Sequence, residues 1–154
     1  MQEIQVRPAL LEELQILLEF EQGIITAERP YDPTLDNDPI SYYDIKAMIE
    51  SENTQVVVAI INDEVVASAY AKIVEAKPYF KYDKFANLGF MFVKPDFRGK
   101  GINGKIIDNL ILWAKSKNIT EIQLQVYDEN DSAIRAYEKA GFGKYMVGMR
   151  MKIE

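Results

Sequence analysis

Val93-Lys94-Pro95-Asp96-Phe97-Arg98-Gly99-Lys100-Gly101-Ile102-Asn103-Gly104 is the stretch around which this chain is organised. An apolar run closes at Val93, Pro95 opens a turn, and glycines then alternate with basic side chains. Beyond the loop, Ile102, Ile106, Ile107, Leu110, Ile111 and Ala114 recur at helical spacing. The first N–H groups of a helix have no partner within it, and its dipole favours negative charge there. A basic, glycine-rich loop that opens a helix therefore suits a phosphate-bearing ligand.

Reading outward, Ile4 and Val6 form a short strand ending at Pro8, and Leu10, Leu11, Leu14, Leu17 and Leu18 make a first helix. From about Gln22 to Asp38 the pattern lapses into a loop with Pro30, Pro33 and Pro39 around it. Ser41 and Asp44 resemble a capping box before a short helix with Ile45, Met48 and Ile49. Gln55–Ile61 and Val65–Val74 read as a hairpin around Asn62-Asp63, and Asn87–Val93 as another strand. An aromatic connection, Pro78–Asp83, joins the last two. Ile122, Leu124 and Val126 alternate as a strand, and Ala133, Ile134, Tyr137 and Ala140 line a last helix stopped at Gly141. Val147, Met149, Met151 and Ile153 predict a closing strand. The order β-α-α-β-β-β-α-β-α-β implies an α/β (α+β) fold with one mixed sheet and helices on its faces. A length of 154 residues fits one domain over 1–154.

Composition narrows the chemistry. The 48% hydrophobic content is enough for a core. Without cysteine or histidine there is no thiol nucleophile, thiolate metal site or His-based triad, so catalysis falls to carboxylates, Tyr, Lys, Arg, hydroxyls and backbone, and no metal is expected. No apolar run reaches membrane-spanning length, and Met1-Gln2-Glu3 lacks a leader's layout, so cytoplasmic residence without membrane association is expected. The net charge of −6 is divided: residues 1–64 hold 14 acids and 3 bases, residues 65–154 hold 10 acids and 15 bases. An anion suits the second part and a cation the first, whereas an acidic chain without a basic tail gives no support for nucleic acid.

Three readings compete for the loop. Gly99, Gly101 and Gly104 satisfy G-x-G-x-x-G, but Lys94–Arg98 separate them from a strand that is not the first, unlike a dinucleotide fold. No Gly-Lys-Ser/Thr completes a Walker loop. Arg98-Gly99-Lys100-Gly101 with its flanks resembles the acetyl-CoA signature of the GNAT superfamily of N-acetyltransferases, Arg/Gln-x-x-Gly-x-Gly/Ala. A second block, Leu124 through Asn130, Ala133, Tyr137 and Gly141-Phe142, is similar to that superfamily at matching spacings. The resemblance spans about Gln55–Phe142. It implies acetyl-CoA as cosubstrate and direct transfer of acetyl to a primary amine of a small molecule or peptide. Its one departure is Asn103 at the second small position, followed by Gly104.

On that resemblance, Gly99, Gly101, Asn103 and Gly104 present N–H groups to the pyrophosphate. Arg98, Lys100 and Lys105 add charge, and Ile102 belongs to the same helix start. Met91, Phe92 and Val93 contribute backbone: Val93 pairs with the pantetheine arm, and the Met91 N–H polarises the thioester carbonyl. Asn130 caps the last helix and, with Ala133, borders the arm. Tyr137 occupies the position of a tyrosine that protonates departing thiolate. Phenol (pKa roughly 10) is the weaker acid than a thiol (roughly 8.5), so transfer is uphill by roughly 2 kcal/mol, and hydrogen bonding to the thiolate is the more economical role.

The acceptor must also lose a proton, which for a lysine-like amine costs roughly 4.6 kcal/mol at neutral pH. Many relatives carry a Glu on the strand before the loop. Asn87-Leu88-Gly89-Phe90-Met91-Phe92-Val93 holds no acid, leaving Glu28 and Glu75 as candidate bases. Glu28, Tyr31, Tyr79 and Asn87 are the candidate acceptor contacts, with Tyr79, Phe80 and Tyr82 as a facing wall. The surrounding acids favour an amine that is cationic before reaction. A CoA-binding sensor without turnover, a dinucleotide oxidoreductase and a homodimer remain open.

Overall fold

The computed structural model describes residues 3–154. Five strands form one sheet in the order β1-β2-β3-β4-β5. They are β1 (Gln5–Pro8), β2 (Thr54–Ile61), β3 (Glu64–Glu75), β4 (Lys84–Val93) and β5 (Ile122–Leu124). The first three pairings are antiparallel and β4–β5 is parallel. Four helices cover the sheet: α1 (Leu14–Glu28), α2 (Ile45–Glu50), α3 (Ile102–Ser116) and α4 (Asp131–Lys139). The mixed, mostly antiparallel sheet is as expected, and it excludes the doubly wound parallel sheet of a dinucleotide fold.

β2 is apolar on both faces because both are covered. Val57, Ala59 and Ile61 pack with Ile106, Leu110 and Ala114 of α3, whereas Val56, Val58 and Ile60 pack with Leu17, Phe20 and Ile24 of α1 and Ile45 of α2. The hairpin between β2 and β3 turns on Asn62 and Asp63, with φ of 49° and 64°, the pair of positive values that a two-residue turn needs.

Four sequence expectations are corrected. α1 runs on to Glu28, followed by a 3-10 turn at Arg29–Tyr31, so the loop begins later than Gln22. Phe20, Ile24 and Ile25 continue the buried stripe through Gly23, where a Cβ would meet the Phe92 ring at 2.6 Å. The α2 cap is Asp44, whose side chain accepts from the Ala47 N–H, and not Ser41. β5 stops at Leu124, short of Val126. The closing strand is absent: residues 143–154 join no ladder, and Val147, Met149, Met151 and Ile153 are exposed, Met149 at 93%. Alternation specifies a strand only where an edge lies within bonding distance, and this segment is attached by side chains instead. Tyr145 Oη donates to Gln123 Oε1 at 3.3 Å, and Arg150 bonds Asp32 at 2.6 Å and Thr34 at 2.8 Å.

Candidate active site

The site follows from a fault in the sheet. β4 and β5 pair only from Ala86–Ile122 to Leu88–Leu124, after which β4 continues five residues without a parallel neighbour. On its other side β4 is bulged: Tyr70 opposes Gly89 and Ser68 opposes Phe92, which leaves Phe90 and Met91 facing the single residue Ala69. Phe90 adopts φ 56° although buried, and Ser68 Oγ donates to its carbonyl at 3.1 Å. Gly89 leaves room here for Tyr70, since a Cβ would lie 2.6 Å from the end of its ring and its hydroxyl. A bulge beside a splayed strand pair re-aims main-chain groups into the opening, which is where an oxyanion-binding N–H is needed.

A cavity fills that opening. Leu88–Met91 of β4, Leu124, Gln125, Ile24 and Glu28 of α1, Tyr43, and Tyr137 of α4 line it. Burial, and next the Glu28 charge, push the Tyr137 phenol above its ordinary value. Tyr137 is therefore an even weaker proton donor than free phenol and best suited to donating a hydrogen bond. Burial also raises Glu28, a neighbouring Tyr42 hydroxyl lowers it, and Asp32 raises it. The Tyr42 hydroxyl itself is buried with no partner in hydrogen-bonding geometry, and burial and Glu28 hold its ionisation up.

Beyond the end of β4, Pro95–Phe97 form a 3-10 turn and Gly101 is the residue before α3. Gly99 and Gly101 have φ of 77° and 79°, with nothing within 4 Å of where a Cβ would sit. Among the described residues no side chain caps α3, and Asn103 Oδ1 in its first turn is buried without a partner. An open, uncapped helix start lined by glycine backbone, with Lys100 and Lys105 nearby, fits a pyrophosphate. Arg98 differs from expectation in being partly engaged: its Nε donates to the Val93 carbonyl at 3.1 Å. That carbonyl keeps one lone pair for a strand-like neighbour. Asn130 caps α4 as expected, accepting from the Ala133 N–H at 3.3 Å. Among the described residues no three carboxylates converge as metal ligands.

The acceptor contacts are sorted less kindly. Glu28 lines the cavity, but Tyr31, Tyr79 and Asn87 do not. Tyr31 stacks on Tyr127 at 6.0 Å, Asn87 lies on β4 near Tyr70, and Tyr79 is 78% exposed against Phe80. Tyr82 bonds Gln123, so the aromatic turn braces β5 rather than walling the cavity. Glu75 ends β3 opposite Lys84, exposed and away from the cavity. Sequence reading missed Tyr42 and Tyr43, which are set by Glu21: this buried α1 carboxylate accepts both of their N–H groups, at 2.9 and 2.8 Å. Asp32, one of the acids of the loop after α1, receives Arg150, Thr34 and, at 2.8 Å, the Tyr127 hydroxyl. Those contacts hold the Asp32 carboxyl well below the usual range. Gly89 inside a strand was a legible sign of the bulge.

Residues 20–142 match the Acetyltransferase (GNAT) family, and the chain belongs to that family. An uncharacterized N-acetyltransferase of Methanocaldococcus jannaschii is 40% identical over 57 residues, 37% of this chain and 25% of that protein. The thialysine N-epsilon-acetyltransferase of Bos taurus is 34% identical over 67 residues, 41% of this chain and 39% of that one. These matches thus span less than half of the curated relatives' length. A mutant Bacillus halodurans protein superposes with a TM-score of 0.87 at 20% identity, covering 97% of this chain and 99% of that one. A predicted acetyltransferase of Clostridium acetobutylicum, solved with acetyl-CoA, superposes with a TM-score of 0.73 at 19% identity, covering 97% and 96%.

Proposed function

We propose that this chain is an acetyl-CoA-dependent N-acetyltransferase that moves acetyl to a primary amine of a small molecule or peptide, by direct attack in a ternary complex. One observation carries the reading: a single cavity joins the β4 bulge at Phe90–Met91 to Tyr137 and Glu28. Acetyl-CoA supplies an activated thioester. Gly99, Gly101, Asn103 and Gly104 would hold its pyrophosphate, Lys100 and Lys105 would add charge, and the main chain of Met91–Val93 would run beside the pantetheine arm. The Met91 N–H stabilises negative charge on the acyl oxygen, and the Tyr137 hydroxyl donates to the leaving sulfur. Asn130 and Ala133 hold the start of α4 so that Tyr137 faces the cavity.

The partial match to a thialysine acetyltransferase supports an amine acceptor. Thiol release from acetyl-CoA, measured with thialysine, L-lysine, spermidine and kanamycin, tests the reading. Intersecting lines in two-substrate kinetics are expected for a ternary complex, and parallel lines would refute it. Acetyl-CoA binding without thiol release on any amine would instead identify a CoA sensor. The whole of 1–154 acts as one such domain in this reading, in the cytoplasm.

Pairing with a second copy belongs to the same proposal. Tyr145 meets Gln123, and Arg150 meets Tyr127 through Asp32, so residues 143–154 run alongside β5 in its direction. Among the described residues no ladder joins the two. A second copy's tail, running oppositely, would supply the antiparallel neighbour that both lack and cover Val147, Met149 and Met151. Light scattering is expected to give a dimer mass for the wild type and a monomer for Val147→Asp/Met149→Asp.

A further inference from the structure

Glu28 is the last residue of α1, where the helix dipole is negative and a nearby cation is favoured. It is half-buried and lines the cavity with Phe90, Met91 and Tyr137. No lysine or arginine among the described residues forms an ion pair with it. The Arg29 guanidinium beside it in sequence is spent elsewhere, on Asp38 at 2.7 Å and the Asp36 carbonyl at 2.8 Å. Arg150 is likewise bound to Asp32. Glu28 is thus a carboxylate without a cation, beside the groups that would activate an acetyl thioester. Glu21, two turns earlier on α1, accepts from the Tyr42 and Tyr43 N–H groups and so ties that segment to the helix that carries Glu28.

We propose that Glu28 is the general base of the transfer, taking the proton of a cationic primary amine that enters the cavity beside β4. The proposal rests on the acetyltransferase reading above. The ammonium gives its first proton to the Glu28 carboxylate, and the freed nitrogen lone pair forms the N–C bond to the acyl carbon. The C–S bond breaks with its electron pair on sulfur, stabilised by Tyr137. The nitrogen sheds its second proton, the thiolate takes up one, and one proton passes to solvent as Glu28 returns to its carboxylate. Tyr42 is a positioning residue in this proposal: its hydroxyl, which has no hydrogen-bond partner, lies near Glu28 and favours the ionised carboxylate.

The groups acting on Glu28 are Asp32 from the segment after α1, Tyr42 and Tyr43 ahead of α2, Tyr127 after β5 and Tyr137 on α4. None is a cation, and burial dominates, so Glu28 titrates above an ordinary glutamate. Activity therefore rises with pH as Glu28 loses its proton.

The test uses the whole chain with thialysine, L-lysine, spermidine and kanamycin as probes. Glu28→Gln is expected to lower kcat/KM about 100-fold at pH 7 and leave acetyl-CoA affinity unchanged. In the wild type, log kcat/KM climbs through the Glu28 ionisation and levels. In Glu28→Gln it keeps climbing toward the amine's own value of about 10. Glu28→Asp restores the levelling at about a tenth of the rate, which separates lost chemistry from lost folding. Tyr42→Phe shifts the acid limb upward without abolishing it. Calorimetry of thialysine binding to the CoA-saturated protein needs no turnover. In acidic buffers the wild type is expected to release a proton on binding, and Glu28→Gln to release none and bind at least about tenfold more weakly. Equal affinity in the variant, proton release that persists in it, or a wild type that binds none of the probes would overturn the proposal. Binding with Glu28-dependent proton release but no acetylation would instead sink the acetyltransferase reading and leave the amine site standing.

Discussion

The two sides of the cavity are built from different material. The side proposed for the donor, Met91–Val93 and the glycine start of α3, presents main-chain groups held by a bulge, positive φ values and an uncapped helix. The side proposed for the acceptor, Glu28 with Tyr42, Tyr43 and Asp32, consists of side chains from separate segments, joined through Glu21 and Arg150. Backbone geometry needs particular residues at particular spacings and so leaves a motif. A side-chain cluster needs only that its members meet, and the spacing between them carries little information. This difference explains why the donor was legible and the acceptor was not.

Four substitutions would break or sharpen that contrast. Gly101→Val should strike the donor side hardest: a β-branched residue at φ 79° costs of order 1–3 kcal/mol and fills the open space before α3. Acetyl-CoA affinity is expected to fall about 100-fold, read by isothermal calorimetry, with amine binding to the CoA-free protein unchanged. If both fall together, the two sides are not separate. Tyr137→Phe removes one hydrogen bond to a charged leaving group and should lower kcat about tenfold at unchanged acetyl-CoA affinity. Unchanged turnover, with only a lowered melting temperature, would reduce Tyr137 to a packing residue.

Asp32→Asn addresses the acceptor side. It weakens the hold on Arg150 and Tyr127, and the KM for amine is expected to rise about fivefold while acetyl-CoA affinity stays constant. Asp32 also sets an acid dependence. Its folded value is depressed by Arg150 first, then Thr34 and Tyr127, so the contribution is present above the unfolded value of about 4 and disappears as pH falls through the folded one. The NMR signals of the Arg150 guanidinium should therefore shift only in strong acid, and in Asp32→Asn at neutral pH as well. Lys105→Ala should have the smallest effect, about threefold in acetyl-CoA affinity and vanishing in high salt, since an exposed charge is screened.

Local patterns were read well where one interaction range decided them. The β2–β3 hairpin, the α3 stripe and the Asn130 cap involve neighbours in sequence or one buried face. The apolar pattern lapses near Gln22 with prolines beyond it, yet α1 continues to Glu28 because Phe20, Ile24 and Ile25 remain buried and Gly23 leaves room for the Phe92 ring. Residues 143–154 were read as a strand from alternation alone, yet a ladder also needs an edge. Tyr79 and Asn87, expected as acceptor contacts, lie outside the cavity lining, and the turn that carries Tyr79 reaches β5 through Tyr82 and Gln123.

By itself, the sequence determined the family and its fold, through the glycine-basic loop after Val93 with Asn130, Ala133 and Tyr137 at their spacings. It also excluded thiol and imidazole chemistry, since it holds neither residue. Only the tertiary structure decided which acid lines the cavity. Glu28 reaches the cavity because α1 runs two turns beyond Glu21, the β4 bulge turns Phe90 and Met91 toward it, and β5 ends early enough to leave the space open. Each of these depends on contacts between segments far apart in the chain, and no local spacing records them.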